Sequence, residues 1–483
     1  MKMLARLRGF AQGILGASGP LVASRLASAA LTFGLPLALV RLLDPAAFGT
    51  YKQFFLVGQT LIMVGQIGLT QSLYYFLPRG GEKRGVYLAQ VLFSLSLVGA
   101  LIGAGVYLLG PALAGFMASP ELAGLRLPLA VFSGCMLAAT PLESTLVCEG
   151  RMGKAALAYM VSDGIRAAGM VLAAWLLGAR WLFWAAAAVA MLRLAVLWIS
   201  LMARALPFAW PGWTTLRAQF AYALPFGAAS LLYVAQRYLS QYAISASFDP
   251  ATFALFAVAS FHMPMVDIVY TPMSEVLMVE IGRAKGAGLL RSWHGAVDKL
   301  ATILFPAACG SWLLGPMLLP LLFTEKYAAS VPLFILATVE MPLWILPCDA
   351  LLRAAGETRF FFLFNAARLP VTAVAVVLAI RFFGLPGAIA AGIFCEGAGR
   401  IVLALRGSRF LQARARDLFD WSGLGRIAGA AVLAVIPAWA VRLLMHAGLP
   451  AVFTTAAVYG VAYFALRALF MPRAPAVPLA AAA

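Results

Sequence analysis

Charge is scarce in this chain. Asp, Glu, Lys and Arg make up 11% of its 483 residues, against about 25% in ordinary globular proteins. The apolar share is 63% and the mean hydropathy is +0.92. A soluble core cannot hide that much apolar surface, so lipid must solvate most of the chain. Cysteine is sparse too. Cys135, Cys148, Cys309, Cys348 and Cys395 lie in apolar stretches without paired spacing. That excludes a disulfide-framed secreted domain and reads as small core residues. His262, His294 and His446 are isolated, so no metal-ligand spacing exists. The sequence has no G-x-x-x-x-G-K-[ST] phosphate loop and no G-x-S-x-G elbow, which excludes those routes to ATP hydrolysis and acyl transfer. Outer loops are short, the longest near Pro111–Gly124. They leave no room for the outer catalytic domain of a glycan polymerase or glycosyltransferase. No enzyme activity, metal or cofactor is expected.

What the sequence has in plenty is apolar runs of spanning length, about 20 residues each. Fourteen are expected, near 16–43, 54–77, 86–110, 125–148, 156–178, 182–203, 223–247, 252–280, 299–323, 331–352, 361–383, 386–405, 424–445 and 450–470. The fold class is an all-α polytopic membrane protein. Lys2, Arg6 and Arg8 precede the first run as in a signal peptide, but no cleavage site follows, so it reads as a retained span.

The formal net charge of +18 would suggest nucleic acid in a soluble protein. Here it sorts by side. With the N-terminus inside, inner segments hold 23 Lys and Arg, including Arg79, Lys83, Arg84, Arg283, Lys285 and Arg291, and outer segments hold seven. That split fits the positive-inside rule and places both termini in the cytoplasm. Nucleic acid is therefore not an expected partner. Anionic inner-leaflet lipid is, above all at the basic, amphipathic segment Arg406–Trp421.

The chain contains an internal duplication. Pro20, Asp44-Pro45 and Phe48 recur as Pro225, Asp249-Pro250 and Phe253, all at an offset of 205. Pro141-Leu142-Glu143 with Gly150 recurs as Pro347-Cys348-Asp349 with Gly356, at an offset of 206. Helix capping alone is the other account of these residues. The duplication divides the chain into a cytoplasmic N-terminus (1–15), a six-helix bundle (16–203), a cytoplasmic linker (204–222), a second six-helix bundle (223–405), a basic amphipathic linker (406–423), two extra helices (424–470) and a Pro/Ala-rich tail (471–483). Six spans per half is an even number. Both halves therefore enter the membrane in the same direction, as parallel repeats do in some transporters.

Charges inside spans cost about 2.5–3.5 kcal/mol each on insertion scales, so each is a functional candidate. Six arginines fall there: Arg25, Arg166, Arg193, Arg237, Arg368 and Arg400. Seven acids do as well: Glu143, Asp163, Asp267, Glu275, Glu340, Asp349 and Glu396. Asp163 with Arg166, Glu396 with Arg400, and Asp349 with Arg353 are spaced to pair within one helix. Polar stripes mark four spans. Arg25 and Thr32 share a face of span 1, and Lys52, Gln59 and Gln66 share one of span 2. Tyr233, Arg237 and Gln241 form a stripe on span 7, and Asp267, Thr271 and Ser274 one on span 8. Spans 1–2 and 7–8 are equivalent in the two halves, which points to a wet cavity where the halves meet. Hydrogen bonding between packed helices is the alternative. It would tie Arg25 to Glu143 and Arg237 to Asp267. Glu143, Asp267, Glu396 and Arg400 are candidates for ion coupling or charge pairing. Gly99 and Gly103 form a G-x-x-x-G that suits close helix packing.

The junction Arg41-Leu-Leu-Asp-Pro-Ala-Ala-Phe-Gly-Thr-Tyr51 and its copy Phe248-Asp-Pro-Ala-Thr-Phe253 resemble those of the multidrug/oligosaccharidyl-lipid/polysaccharide exporter superfamily. So do Glu149-Gly-Arg-Met-Gly-Lys154 and Ala354-Ala-Gly-Glu-Thr-Arg359. Within it the chain is similar to polysaccharide and O-antigen flippases of the Wzx type. The resemblance implies a flippase that moves a polyprenyl-diphosphate-linked oligosaccharide across a bacterial inner membrane, alongside other glycan-assembly proteins. It also implies a cationic cavity that meets the diphosphate, a role Arg25, Lys52 and Arg237 could fill. A drug or metabolite exporter of the same fold and, more remotely, a membrane enzyme of glycan assembly are the competing readings.

Overall fold

The computed structural model describes residues 19–202, 212–445 and 448–470. Every regular element among them is helical. By packing they fall into two compact units, up to Ala254 and from Leu255 on.

In the first unit α1 (Gly19–Leu42) leads to Asp44, whose carboxylate accepts the Ala47 N–H at 2.7 Å and caps α2 (Pro45–Gly65). Pro45 takes the first helical position, where no N–H is needed. A 42° bend separates α2 from α3 (Leu69–Arg79), and there Gly68 turns left-handed at φ 75. The backbone of α9 (Trp213–Ser247) presses on this break. A Cβ on Gly68 would lie 2.3 Å from the Ala223 carbonyl oxygen, and one on Gly227 2.7 Å from the Ile67 backbone. Only glycine permits both the φ and the approach.

The unit continues through α4 (Arg84–Phe116), α5 (Arg126–Ala139), α6 (Pro141–Cys148), α7 (Met152–Leu177) and α8 (Trp181–Met202). The G-x-x-x-G of α4 brings Gly99 against Gly134 of α5, where a Cβ would meet the opposite carbonyl at 2.6 Å. Pro141 cannot donate to the Leu137 carbonyl, and the Thr140 hydroxyl donates to it instead at 2.7 Å. Helix α9 starts inside the stretch expected as linker. Its first turns are held by side chains: Gln90 donates to Thr215 at 2.6 Å and Gln219 to Ser72 at 3.0 Å.

The second unit holds the latter half of α10 (Pro250–Ala259), then α11 (Met263–Arg283), α12 (Ala287–Phe323), α13 (Ser330–Ala337), a 3-10 segment (Thr338–Ile345), α14 (Cys348–Ala354), α15 (Thr358–Phe410), α16 (Trp421–Leu444) and α17 (Leu449–Phe470). Helix α15 would be about 80 Å long if straight, far beyond the hydrocarbon thickness. Gly384, at φ 62, divides it, where the sequence places a span boundary. Pro306 of α12 leaves the Thr302 carbonyl without its helical donor, and the Tyr463 hydroxyl of α17 donates to it at 2.8 Å. Tyr459 bonds the Pro306 carbonyl at 3.0 Å, and Arg442 of α16 bonds that of Leu313 at 3.0 Å. The two last helices are thus fastened to a proline-broken neighbour.

The duplicated positions carry the same backbone devices. Asp249 receives the Thr252 N–H as Asp44 receives that of Ala47. Gly150 and Gly356 both turn left-handed, at φ 74 and 73. The N–H after each, on Arg151 and Glu357, reaches back to the carbonyls of Leu146 and Leu352, the six-to-one bond of a glycine helix stop. The α2–α3 bend has a counterpart of 43° between Pro250–His262 and Val266–Gly282.

Among the described residues nine helices are long and apolar enough to cross a membrane, or twelve if each of three bent pairs is one span. The broken α15 counts once among them. Large apolar side chains on these helices stay uncovered, with Leu444 84% and Phe394 75% exposed. The molecule is a multi-pass membrane protein.

Candidate functional site

Lys52 lies one turn after Phe48 on α2 and is half-buried. Its ammonium stands 5.4 Å from the Phe48 ring centre and 5.6 Å from that of Tyr51. Among the described residues no carboxylate lies within 4.0 Å of it. Aromatic faces attract a cation by about 0.5–2 kcal/mol, far less than its solvation in water, so this charge is left seeking an anion. Gln59 on the same helix and Gln66, its C-cap, are half-buried. Gln53, which the seven-residue spacing passed over, is fully buried and donates to Ser245 of α9 at 2.9 Å and to the Met117 carbonyl at 3.0 Å. Its Oε1 has no partner among the described residues.

On α9 the i,i+4 spacing is realised as contact. Arg237 donates to the Tyr233 hydroxyl at 3.0 Å, and both are exposed. Gln241 is half-buried. The side chains of Arg25 and Thr32 lie outside the described residues.

The in-span acids of the first unit are matched with arginines. Glu143, 3% exposed, faces Arg193 of α8 at 2.5 Å, an ion pair rather than an aligned hydrogen bond. Depth along the spans suggests Arg25 as its alternative partner; the structure provides Arg193, from a helix well further along the chain. Arg193 also donates to Ser162 at 2.9 Å. Asp163 and Arg166 pair at 2.9 Å, as their spacing predicts.

The second unit holds a longer chain of charges. Arg400 donates to Glu396 and to the Leu346 carbonyl, both at 2.8 Å, and lies 3.9 Å over the Trp344 ring. Glu396 also pairs with Arg368 at 3.1 Å, a partner on the far side of the Gly384 break. Tyr270 of α11 donates to Asp349, which pairs with Arg353 at 2.6 Å. Glu340 accepts from Trp344 at 3.1 Å. Asp267 is half-buried on α11. The acids Glu143, Asp163, Asp349 and Glu396 are therefore neutralised by their neighbours, while Lys52 is not. A half-buried cation without a counter-charge favours an anion.

Residues 38–332 match the family described as polysaccharide biosynthesis protein. No curated protein matches the sequence individually. Among solved structures, the lipid II flippase MurJ in an inward closed conformation superposes with a TM-score of 0.71 over 92% of this chain and 98% of that one, at 13% identity. An inward-facing multidrug resistance MATE family transporter of the MOP superfamily does so at 0.64, over 80% and 94%, with 16% identity. A MOP superfamily transporter from Pyrococcus furiosus scores 0.56, over 82% and 95%, with 16% identity. At such identities the likeness establishes the fold, which is that of flippases and transporters. Since the family match spans more than half of its length, the chain belongs to the polysaccharide biosynthesis protein family.

Proposed function

We propose that this protein flips a polyprenyl-diphosphate-linked oligosaccharide, a unit of O-antigen, capsule or exopolysaccharide, from the inner to the outer leaflet of a bacterial inner membrane. The observation that carries this reading is Lys52, a half-buried cation whose neighbours are rings rather than carboxylates, in a fold shared with a lipid II flippase. A diphosphate and its sugars cannot cross hydrocarbon unaided, because each unpaired polar group costs several kcal/mol there. A polar passage open sideways lets the head cross while the polyprenyl tail stays in lipid. Lys52, Arg25 and Arg237 meet the diphosphate in this scheme. Thr32, Gln59, Gln66, Tyr233 and Gln241 meet polar groups of the head. The bends at 65–69 and 262–266 are hinges suited to alternating access. Moving two negative charges outward gains about 4–5 kcal/mol per 100 mV, inside negative.

Both termini are cytoplasmic in this reading, and the chain crosses fourteen times. That count takes the two arms of α15 as separate spans and adds α1. The basic segment Arg406–Trp421 faces anionic lipid of the inner leaflet. A drug exporter of the same fold, the reading the MATE likeness favours, would need free acids for organic cations, and four of the in-span acids are held in ion pairs.

The test is to replace Arg25 and Arg237 singly by Ala and by Lys. Surface glycan and inserted protein are measured together. Loss of display at normal protein level is expected for Ala, with partial rescue by Lys, which keeps charge but loses the bidentate fork. Normal display in both Ala variants would overturn the role of these residues.

A further inference from the structure

An exposed aromatic stack lies where α3 meets α9. Tyr75 of α3 and Tyr222 of α9 lie face to face, with ring centres 4.7 Å apart and planes 22° from parallel. Phe76 closes the edge of Tyr222 at 5.7 Å, and Tyr87 backs Phe76 at 4.7 Å. The Arg79 guanidinium caps Tyr75 at 4.4 Å and is tied by a hydrogen bond of 3.2 Å to the Tyr75 carbonyl. Despite these contacts Tyr75 is 40% and Tyr222 44% exposed.

Two further observations describe how the stack is held. Gln71 stands one turn from Tyr75, on the same face of α3, and its Oε1 is buried without a partner among the described residues. Gln219, one turn before Tyr222, is itself buried and spends its amide on Ser72 and the Tyr87 carbonyl. That bond fixes α9 against α3 and so fixes the two rings. Gln71, Tyr75 and Arg79 thus share one face of α3, and of the three it is Tyr75 that meets the ring of Tyr222.

We infer that this stack is a binding platform for a sugar ring of the lipid-linked glycan. It rests on the flippase reading and adds where and how that glycan is recognised. A pyranose has one face of C–H groups, which suits the negative face of an aromatic ring, and a rim of hydroxyls. The open face of Tyr222 takes the C–H face. Arg79 lies behind Tyr75 and the Gln71 Oε1 is buried, so the rings rather than these two groups meet the sugar. The basic residues Arg79, Lys83 and Arg84 assign this end to the inner side, where the glycan is loaded. Two fixed rings favour sugars with an uninterrupted C–H face.

The experiment uses the full chain in lipid nanodiscs and two probes: undecaprenyl diphosphate, and undecaprenyl diphosphate carrying one N-acetylhexosamine. The sugar-bearing probe is expected to bind about threefold to tenfold tighter, the range of one stacking contact. Tyr222→Ala and Tyr75→Ala should erase that difference and leave the bare diphosphate affinity unchanged, which also reports that each variant is folded. Tyr222→Phe should keep the difference. Equal binding of both probes by the parent protein, or a difference that survives both Ala variants, overturns the platform and leaves the flippase reading intact. If neither probe binds the parent protein, the flippase reading falls, and the platform with it.

Discussion

Arg193 of α8 holds Glu143 of α6 at 2.5 Å, with side chains only 11% and 3% exposed. Each is the other's means of remaining charged inside the membrane domain. Removing one partner of such a pair strands the other, at a cost of about 3–5 kcal/mol, whereas removing both can be neutral. Arg193→Leu should therefore lower the amount of folded protein sharply, and Glu143→Gln with Arg193→Leu should recover most of it. Detergent-solubilised melting curves decide. If the double variant melts as low as the single one, the pair is not what stabilises this region.

The bond from Tyr463 to the Thr302 carbonyl gives a smaller effect in the second unit. Tyr463→Phe keeps the ring and removes the donor, leaving a carbonyl already deprived of its helical partner by Pro306. A cost of about 1–3 kcal/mol is expected. Thr302 lies on a turn that a Pro306→Ala change would repair. In a protein already carrying Pro306→Ala, the Tyr463→Phe penalty should shrink, measured as a double-mutant cycle by thermal unfolding.

Much of this was legible along the sequence, and the reason is distance. Features set by neighbours within four residues read directly: the Asp44 and Asp249 caps, one account of the recurring Asp-Pro, and the pairs Asp163–Arg166, Asp349–Arg353 and Glu396–Arg400. Partners set by packing did not. Nothing in the spacing joins Glu143 to Arg193, Arg368 to Glu396, Gln53 to Ser245 or Arg406 to Glu357. Periodicity selected the Lys52 stripe and passed over Gln53 one position away, because polar residues that bond between helices look the same as those facing water. The tyrosine stack was hidden for the same reason: Tyr75 and Tyr222 meet only because Gly68 and Gly227 let α3 and α9 touch.

Orientation is testable without a structure. Reporter fusions after Arg84, Arg204 and Met471 should read inside, and one after Ala118 outside, as the basic asymmetry requires. Reversal at two of these sites would rule out the proposed topology.

Asp420 sits just outside α16 and accepts the Gly423 N–H at 3.0 Å and the Ser422 hydroxyl at 2.8 Å. The backbone hydrogen bond first, then the hydroxyl, hold its carboxyl below the usual range. A folded-state value below the unfolded one stabilises the fold fully above the unfolded value, near 3.9. That contribution fades as pH falls through the folded value. Asp420→Ala should cost about 0.5–2 kcal/mol at neutral pH, the usual loss of a helix cap. The difference in melting temperature from the parent should narrow below about pH 4. A gap that stays constant down to about pH 3 would show that the carboxylate charge plays no part in the cap.

Lys52 gives the sharpest distinction between a binding residue and a structural one. A charge that holds a fold together has a counter-charge, and its removal lowers stability. Lys52 has the rings of Phe48 and Tyr51 and no carboxylate within 4.0 Å among the described residues. Keeping an ammonium there opposes folding by the cost of its desolvation, only partly offset by the rings. Lys52→Met retains the length and apolar stem of the side chain and discards the charge. The variant should insert normally and melt at the same temperature as the parent or above it. Its surface glycan should nonetheless fall about tenfold or more, since the diphosphate loses a cation that nothing else neutralises. Lys52→Arg, which keeps the charge, should restore display. The two readouts, melting temperature and glycan display, must move in opposite senses or the first must stay still. A Lys52→Met protein that is unstable, or one that is stable and displays glycan normally, would remove Lys52 from the diphosphate site.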